Sequence, residues 1–107
     1  MSKKYEDRVL DMLRNYRVIA KKVKEIVSEY DDSARVYVFG SVVRGDYTGS
    51  SDIDILIVTD KLDMKYDLMV RIYMELDAPI QLHIVSRELM EGWYMRFIEE
   101  DELEEIK

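Results

Sequence analysis

The sequence contains no cysteine, and proline, tryptophan and histidine occur once each. The missing thiols exclude disulfides, thiolate metal sites and cysteine nucleophiles, and they agree with a cytoplasmic setting. Long hydrophobic runs are missing too. The apolar stretches are strand-sized, as in Ile55–Val58, so no segment is expected to span a membrane. Met1–Asp7 has no apolar stretch of the kind a secretory signal needs. Basic residues are fewer than acidic ones, for a net charge of −7. The imbalance is local: residues 99–107 hold six acids and Lys107, a net of −5, leaving −2 for the remainder. A chain with this balance gains little from counterion release, which disfavours a long nucleic acid as partner. A single nucleotide is still allowed, because metal ions can supply the positive charge.

Hydrophobic residues make up 48% and charged ones 36% of the 107 residues, a globular balance, and residues 1–107 read as one domain with no repeat or linker. Apolar residues recur every three or four positions from Tyr5 to Tyr30, at Val9, Leu13, Tyr16, Ala20, Val23 and Val27, which predicts one long amphipathic helix. Asp31-Asp32-Ser33 breaks it. Arg35 to Phe39, Ile53 to Val58 and Ile80 to Val85 read as strands. Asp63 to Leu76 reads as a helix marked by Tyr66, Met69, Val70 and Tyr73, closed by Pro79. Ser86 is a candidate N-cap for a last helix carrying Leu89, Met90, Trp93, Phe97 and Ile98. Trp93, Tyr94 and Phe97 lie at helical spacing and read as core or interface, and the seven methionines as packing. The acidic run after Ile98 reads as a solvated, frayed helix end. This order implies an α+β fold, a mixed three-stranded sheet with helices packed on it.

The stretch from Gly40 to Asp54 carries the chemistry. Residues i and i+2 of a strand share a face, so Asp52 and Asp54 present two carboxylates side by side, as a hard cation such as Mg²⁺ requires. An isolated Asp-x-Asp is most often a pair of solvated aspartates. Here it is preceded by Gly40, at a strand end where a missing side chain lets phosphate oxygens approach. Ser41 opens a turn whose N–H groups and hydroxyl can receive a phosphate. Arg44, three residues on, is placed to complete that contact. A phosphate cradle and a metal site at the ends of adjacent strands are what phosphoryl transfer needs.

This pattern, Gly40-Ser41, ten residues, then Asp52-x-Asp54, with Arg44-Gly45 inside it and Ser51 before the first aspartate, resembles the minimal nucleotidyltransferases of the DNA polymerase β superfamily. The resemblance implies the αβ palm of that superfamily and transfer of a nucleoside monophosphate, AMP from ATP first among them, to a hydroxyl with release of pyrophosphate. By the same resemblance Asp52 and Asp54 would bind two Mg²⁺ ions, with Mn²⁺ as a substitute. Gly40, Ser41, Arg44, Gly45 and Ser51 would contact the nucleotide. Many stand-alone members are similar to antitoxins paired with a HEPN-domain ribonuclease, which they neutralise by adenylylating a tyrosine or by binding it.

One position departs from the pattern. The superfamily's third carboxylate would fall on the strand Ile80 to Val85, where Gln81 and His83 share a face and neither is acidic. Gln81 aligns with the missing acid; an amide ligates a metal but takes no proton. His83 is a candidate ligand or base, or a hydrogen-bonded strand histidine. Two functions therefore stand side by side: an active transferase, and a nucleotide-binding or antitoxin module acting by complex formation.

Overall fold

The structure is a computed structural model that describes residues 3–99 and 102–107. Glu100 and Asp101 of the acidic run lie outside the described residues. Two helices, α1 (Lys3–Arg14) and α2 (Tyr16–Tyr30), take the place of the single long helix expected. Asn15 separates them. Its side-chain amide donates to the Asp11 carbonyl at 2.8 Å, the acceptor that its backbone N–H also uses at 3.0 Å. A short polar side chain competing for a helical carbonyl is what makes asparagine a poor interior residue. The apolar stripe survives the break, with Val9, Leu13, Tyr16, Ala20, Val23 and Val27 all buried. Asp31 ends α2: its carboxylate accepts the Ser33 N–H at 3.0 Å and the Thr59 hydroxyl at 2.6 Å. The turn is thereby pinned to the far end of the sheet.

Strands β1 (Arg35–Phe39), β2 (Ile53–Val58) and β3 (Ile80–Val85) lie where their β-branched runs predict them. A four-residue helix, α3 (Ser41–Arg44), follows β1. β1 pairs antiparallel with β2, and β2 pairs parallel with β3. The parallel crossover carries a 3₁₀ turn at Leu62–Met64 and then α4 (Lys65–Glu75). The C-terminal segment runs through α5 (Arg87–Leu89), a π-helical stretch (Met90–Tyr94) and α6 (Met95–Phe97). Ser86 caps it as expected, its hydroxyl accepting the Leu89 N–H at 3.1 Å. Among the described residues, no helix is long and apolar enough to cross a membrane.

The sheet is mixed, as expected, but it has four strands in the order β3-β2-β1-β4. The fourth, β4 (Leu103–Ile106), pairs antiparallel with β1 and lies within the run read above as a frayed helix end. Two apolar residues among acids give no helical face and little strand signal. In place, Leu103 joins one face of the sheet and Ile106 the other. The charge between them is answered by α2: the Tyr16 hydroxyl and both donors of Arg17 reach the Glu104 carboxylate at 2.6–2.9 Å.

Both faces of the sheet are covered, which is why β2 is apolar almost throughout. Val36, Val38, Ile53, Ile55, Ile57, Ile80, Leu82 and Ile84 form the main core with α1, α2 and α4. On the other face Leu56, Val58 and Val85 form a smaller cluster with Met90, and Tyr37, Phe39, Tyr94 and Leu103 pack against it.

Two helical faces differ from expectation. In α4, Leu68 and Ile72 are buried, whereas Tyr66, Val70, Tyr73 and Met74 are exposed. Both sides of α4 are apolar, so periodicity alone did not choose between them. In the last segment Trp93 and Phe97 are exposed, at 51% and 69%, so of the core-or-interface reading the core half holds for Tyr94 alone of the three, which packs under the sheet. The π-helical stretch inserts an i→i+5 turn that rotates the following residues relative to an α-helix.

Two measurements check this packing. Ile72→Ala should cost about 2–4 kcal/mol in urea denaturation and Val70→Ala within about 0.5 kcal/mol, although Val70 is one of the residues that mark the helix in the sequence. The second concerns Glu104. Its bonds to Arg17, with help from the Tyr16 hydroxyl and against the opposing effect of burial, hold its carboxyl below the ordinary value of 4.5. A depressed folded-state pKa contributes stability that is complete above the ordinary value and is lost as pH falls through the lower one. Glu104→Gln should lower the melting temperature at neutral pH and flatten this part of the acid limb. Thermal melts between about pH 7 and about pH 3 read both effects.

Candidate active site

The site is built where β1 ends beside the start of β2. Antiparallel pairing sets Phe39 opposite Asp54. The next residue, Gly40, has φ 85° and ψ −153°, a region that only glycine enters without strain. A Cβ at Gly40 would lie 2.6 Å from Asp54 Oδ2. Glycine is therefore required twice, for the backbone angle and for the approach of the carboxylate. The missing side chain, expected to make room for phosphate oxygens, makes room for Asp54 first.

The chain then turns into α3. The Gly40 carbonyl accepts the N–H groups of Val43 and Arg44 at 3.1 Å, and the Ser41 carbonyl accepts those of Gly45 and Asp46 at 2.8 and 3.2 Å. Gly45 closes this turn in the left-handed region, at φ 87°. The first amides of such a helix have no acceptor of their own within it, so Ser41 stands at its donor end. Arg44, 41% exposed, is turned toward Asp46 (3.3 Å) and Glu102 (3.5 Å). Ser51 shapes the loop that delivers the aspartates: its hydroxyl accepts the Thr48 N–H at 2.9 Å, and its N–H donates to the Thr48 carbonyl at 3.0 Å. Tyr47, in the same loop, packs against the main core.

Asp52 is exposed and Asp54 half-buried. Strand alternation gives Asp54 the same face as Leu56, with Gln81 as its register partner on β3 and His83 opposite Leu56. His83 Nε2 lies 3.6 Å from Asp54 Oδ1, and this nitrogen is buried with no hydrogen-bond partner. The imidazole lies against two rings, Phe39 at 5.3 Å and Tyr94 at 6.2 Å between centroids. Neither Asp52 nor Asp54 accepts a hydrogen bond from any described side chain.

The structure thus brings Gly40, Asp54, Gln81 and His83 together on one face. Ser41, Arg44 and Gly45 lie on the adjoining turn, and Ser51 and Asp52 on the loop entering β2. Sequence reasoning missed Phe39 and Tyr94, which hold the histidine, and Glu102, which meets Arg44. Phe39 has the parity of the site face and was legible in principle. Tyr94 and Glu102 arrive by tertiary packing, with no local signal. Cavities of about 290 and 380 Å³ lie at Asp31, Thr59, Lys61 and Arg87 and at Arg35, Tyr37, Met90 and Met95, and neither is lined by a motif residue.

The donor set fits a divalent cation in part. Among the described residues no three of His, Cys, Asp and Glu converge on one point. The two aspartates supply charge and oxygen donors without enclosing an ion. Phosphate oxygens and water complete a shell of this kind for Mg²⁺.

A strand ending in Gly-Ser, a short turn and an Asp-x-Asp on the neighbouring strand of a mixed sheet define a nucleotidyltransferase. The chain belongs to the nucleotidyltransferase domain family, whose profile matches residues 20–106. It is a minimal domain of that family, a transferase with α+β architecture. A provisionally named protein adenylyltransferase of Methanocaldococcus jannaschii is 39% identical over 75 residues, which span 64% of this chain and 75% of that protein. The crystal structure of a provisionally named nucleotidyltransferase superposes with a TM-score of 0.67 at 32% identity, over 81% of this chain and 96% of that one.

The demand for glycine at position 40 can be tested against that at position 45. Gly40→Ala should destabilise the fold by about 1–3 kcal/mol and displace Asp54. Gly45→Ala meets no atom within 4 Å. It carries only the left-handed backbone cost and should lose about 1 kcal/mol. Equal losses in urea denaturation would show that neither the Asp54 contact nor the extended ψ at Gly40 adds to the left-handed cost.

Proposed function

We propose that this protein catalyses Mg²⁺-dependent transfer of AMP from ATP to a hydroxyl group, in the cytoplasm, with a tyrosine of a HEPN-domain partner as acceptor in a toxin–antitoxin pair. The observation that carries the transfer reading is the packing of Asp54 against the Gly40 backbone, at the mouth of the turn that holds Ser41. Family membership supports the reaction class. The name of the archaeal relative supports adenylyl transfer to protein. The partner rests on the resemblance to antitoxins noted above.

Gly40 and Ser41 hold the terminal phosphates in this reading, with Gly45 and Ser51 shaping the walls. Arg44 exchanges Asp46 and Glu102 for a phosphate oxygen. Asp52 and Asp54 would hold Mg²⁺, or Mn²⁺ in its place, which offsets the charge of the triphosphate and of the departing pyrophosphate. The acceptor oxygen forms a bond to the α-phosphorus while the bond from that phosphorus to the oxygen bridging to the β-phosphate breaks. The electron pair leaves with pyrophosphate, and the hydroxyl proton passes to water. Gln81 stands in register with Asp54 and takes no proton. That favours a second reading, in which the domain binds nucleotide and partner but transfers slowly or not at all.

ATP labelled on the α-phosphate, with Mg²⁺ and a co-expressed partner, tests both. Label should appear on the partner's tyrosine and vanish in the Asp52→Asn, Asp54→Asn double variant, together with metal-dependent ATP binding in calorimetry. Gln81→Glu should raise the rate, toward the roughly 10²–10⁴-fold that a positioned base contributes. Binding without transfer would select the second reading. Unchanged ATP affinity in the double variant would overturn both.

A further inference from the structure

The layer of the molecule opposite Asp54 carries an apolar surface that the transfer reading does not use. Helix α4 packs Leu68 and Ile72 into the main core and turns Tyr66, Val70 and Met74, spaced by four residues, away from it. Tyr66 is 79%, Val70 57% and Met74 81% exposed, and Tyr66 and Met74 are the most exposed large hydrophobic residues among those described. Tyr73, at the border of this stripe, has a structural reason to be there: its hydroxyl donates to the Ile80 carbonyl and accepts the Leu82 N–H, both at 3.2 Å, on the open edge of β3. The other three have no such reason. The four together leave roughly 500 Å² of apolar surface in water, near the upper end of the largest patch found on monomeric proteins.

An acceptor must bring its hydroxyl to Asp54, on the other face of the sheet, so the acceptor does not account for this stripe. A second copy of the chain does. Two α4 helices packed antiparallel across a two-fold axis at Val70 set Val70 against its own counterpart. The same axis sets Tyr66 against Met74 of the other copy, twice, so that the stripe buries itself. A standard interface covers about 800 Å² on each copy, and in homodimers roughly two-thirds of it is apolar, which is what the stripe offers. The charges fit the same arrangement. Asp67 and Arg71 lie about one turn apart on one flank of the stripe. A two-fold axis brings equal flanks together running in opposite directions, which sets Asp67 of each copy beside Arg71 of the other. Within the chain Arg71 is held by Glu29 and Glu75, whereas Asp67 forms no ion pair among the described residues.

We propose that the chain forms a two-fold homodimer through α4, with Val70 on the axis and a pair of Asp67–Arg71 contacts on its flank. The two α4 layers then lie inside and the two Asp54 faces point outward, so both sites stay open to nucleotide and acceptor. The dimer stands apart from the transfer reading, and either can fail without the other.

The chain has no cysteine, so a single one introduced at the axis reports directly. Val70→Cys should form an intermolecular disulfide under mild oxidation, because a residue on the axis meets itself. Val18→Cys, on α2 and as exposed as Val70, should not. In sedimentation equilibrium from about 1 to about 100 μM the unaltered chain should pass from monomer to twice that mass. Val70→Glu should weaken the association about tenfold or more, Asp67→Arg should weaken it less, and Val18→Glu should leave it unchanged. The small cost stated for Val70→Ala belongs to the monomer and holds in urea curves below the association range. Above that range the unfolding midpoint of the unaltered chain should rise with protein concentration. A chain that stays monomeric to about 100 μM would overturn the proposal and leave the stripe to a different protein. A dimer that Val70→Glu does not weaken and Val70→Cys does not lock would overturn it too, since its interface lies elsewhere. Where Val70→Glu fails to fold, the disulfide test and the mass of the unaltered chain decide.

Discussion

The contact between the Gly40 backbone and the Asp54 carboxylate is the constraint on which the other site elements depend. It exists because β1 and β2 run antiparallel with Phe39 opposite Asp54, so one strand ends where the other begins. The chain must leave β1 without a side chain in the way, turn sharply, and return within a dozen residues. Gly40 supplies the exit, α3 and Gly45 the turn, and the Thr48–Ser51 hydrogen bonds the return. The ten residues between Ser41 and Asp52 are used by α3 and by the turn that Thr48 and Ser51 close.

The face that carries the site changes character along its length. Near the motif it presents Asp54, Gln81 and His83, and farther along the same strands it presents Leu56, Val58 and Val85. The apolar part is covered by the helical segment that includes Met90 and Tyr94. That cover stops at His83, whose ring forms the border: it packs on Phe39 and Tyr94 while Nε2 lies 3.6 Å from Asp54. The main core lies on the opposite face and is indifferent to the chemistry. A small enzyme can hold polar groups on a sheet in this way because most of its burial is achieved elsewhere.

The acidic C-terminal run is part of the architecture. β4 gives β1 a second neighbour, so the strand that ends at Gly40 is paired on both sides. Glu104 ties this edge to α2 through Tyr16 and Arg17, and Glu102 reaches Arg44 beside the motif. Charges that would repel one another in a free tail are met by cations from distant parts of the chain, and an acidic edge strand also discourages pairing with another molecule.

Much of this was legible in the residues alone. The bounds of β1, β2 and β3 follow from β-branched runs between turn residues, and the α1–α2 stripe follows from its 3.6-residue period, because both are local properties of burial on one face. The motif from Gly40 to Asp54 was legible for the same reason, being a local path with few solutions. Asn15 hid the break in the long helix, since its effect depends on the competition for one carbonyl. The buried face of α4 was ambiguous with apolar residues on both sides, and only contact with the sheet selected Leu68 and Ile72. β4 had no local pattern, because its stability comes from β1 and from charges on α2, some 88 residues away at Tyr16. The burial of His83 Nε2 against Asp54 is likewise a consequence of packing: alternation put both residues on one face, but the contacts of the imidazole with Phe39 and Tyr94 arise only in the tertiary structure.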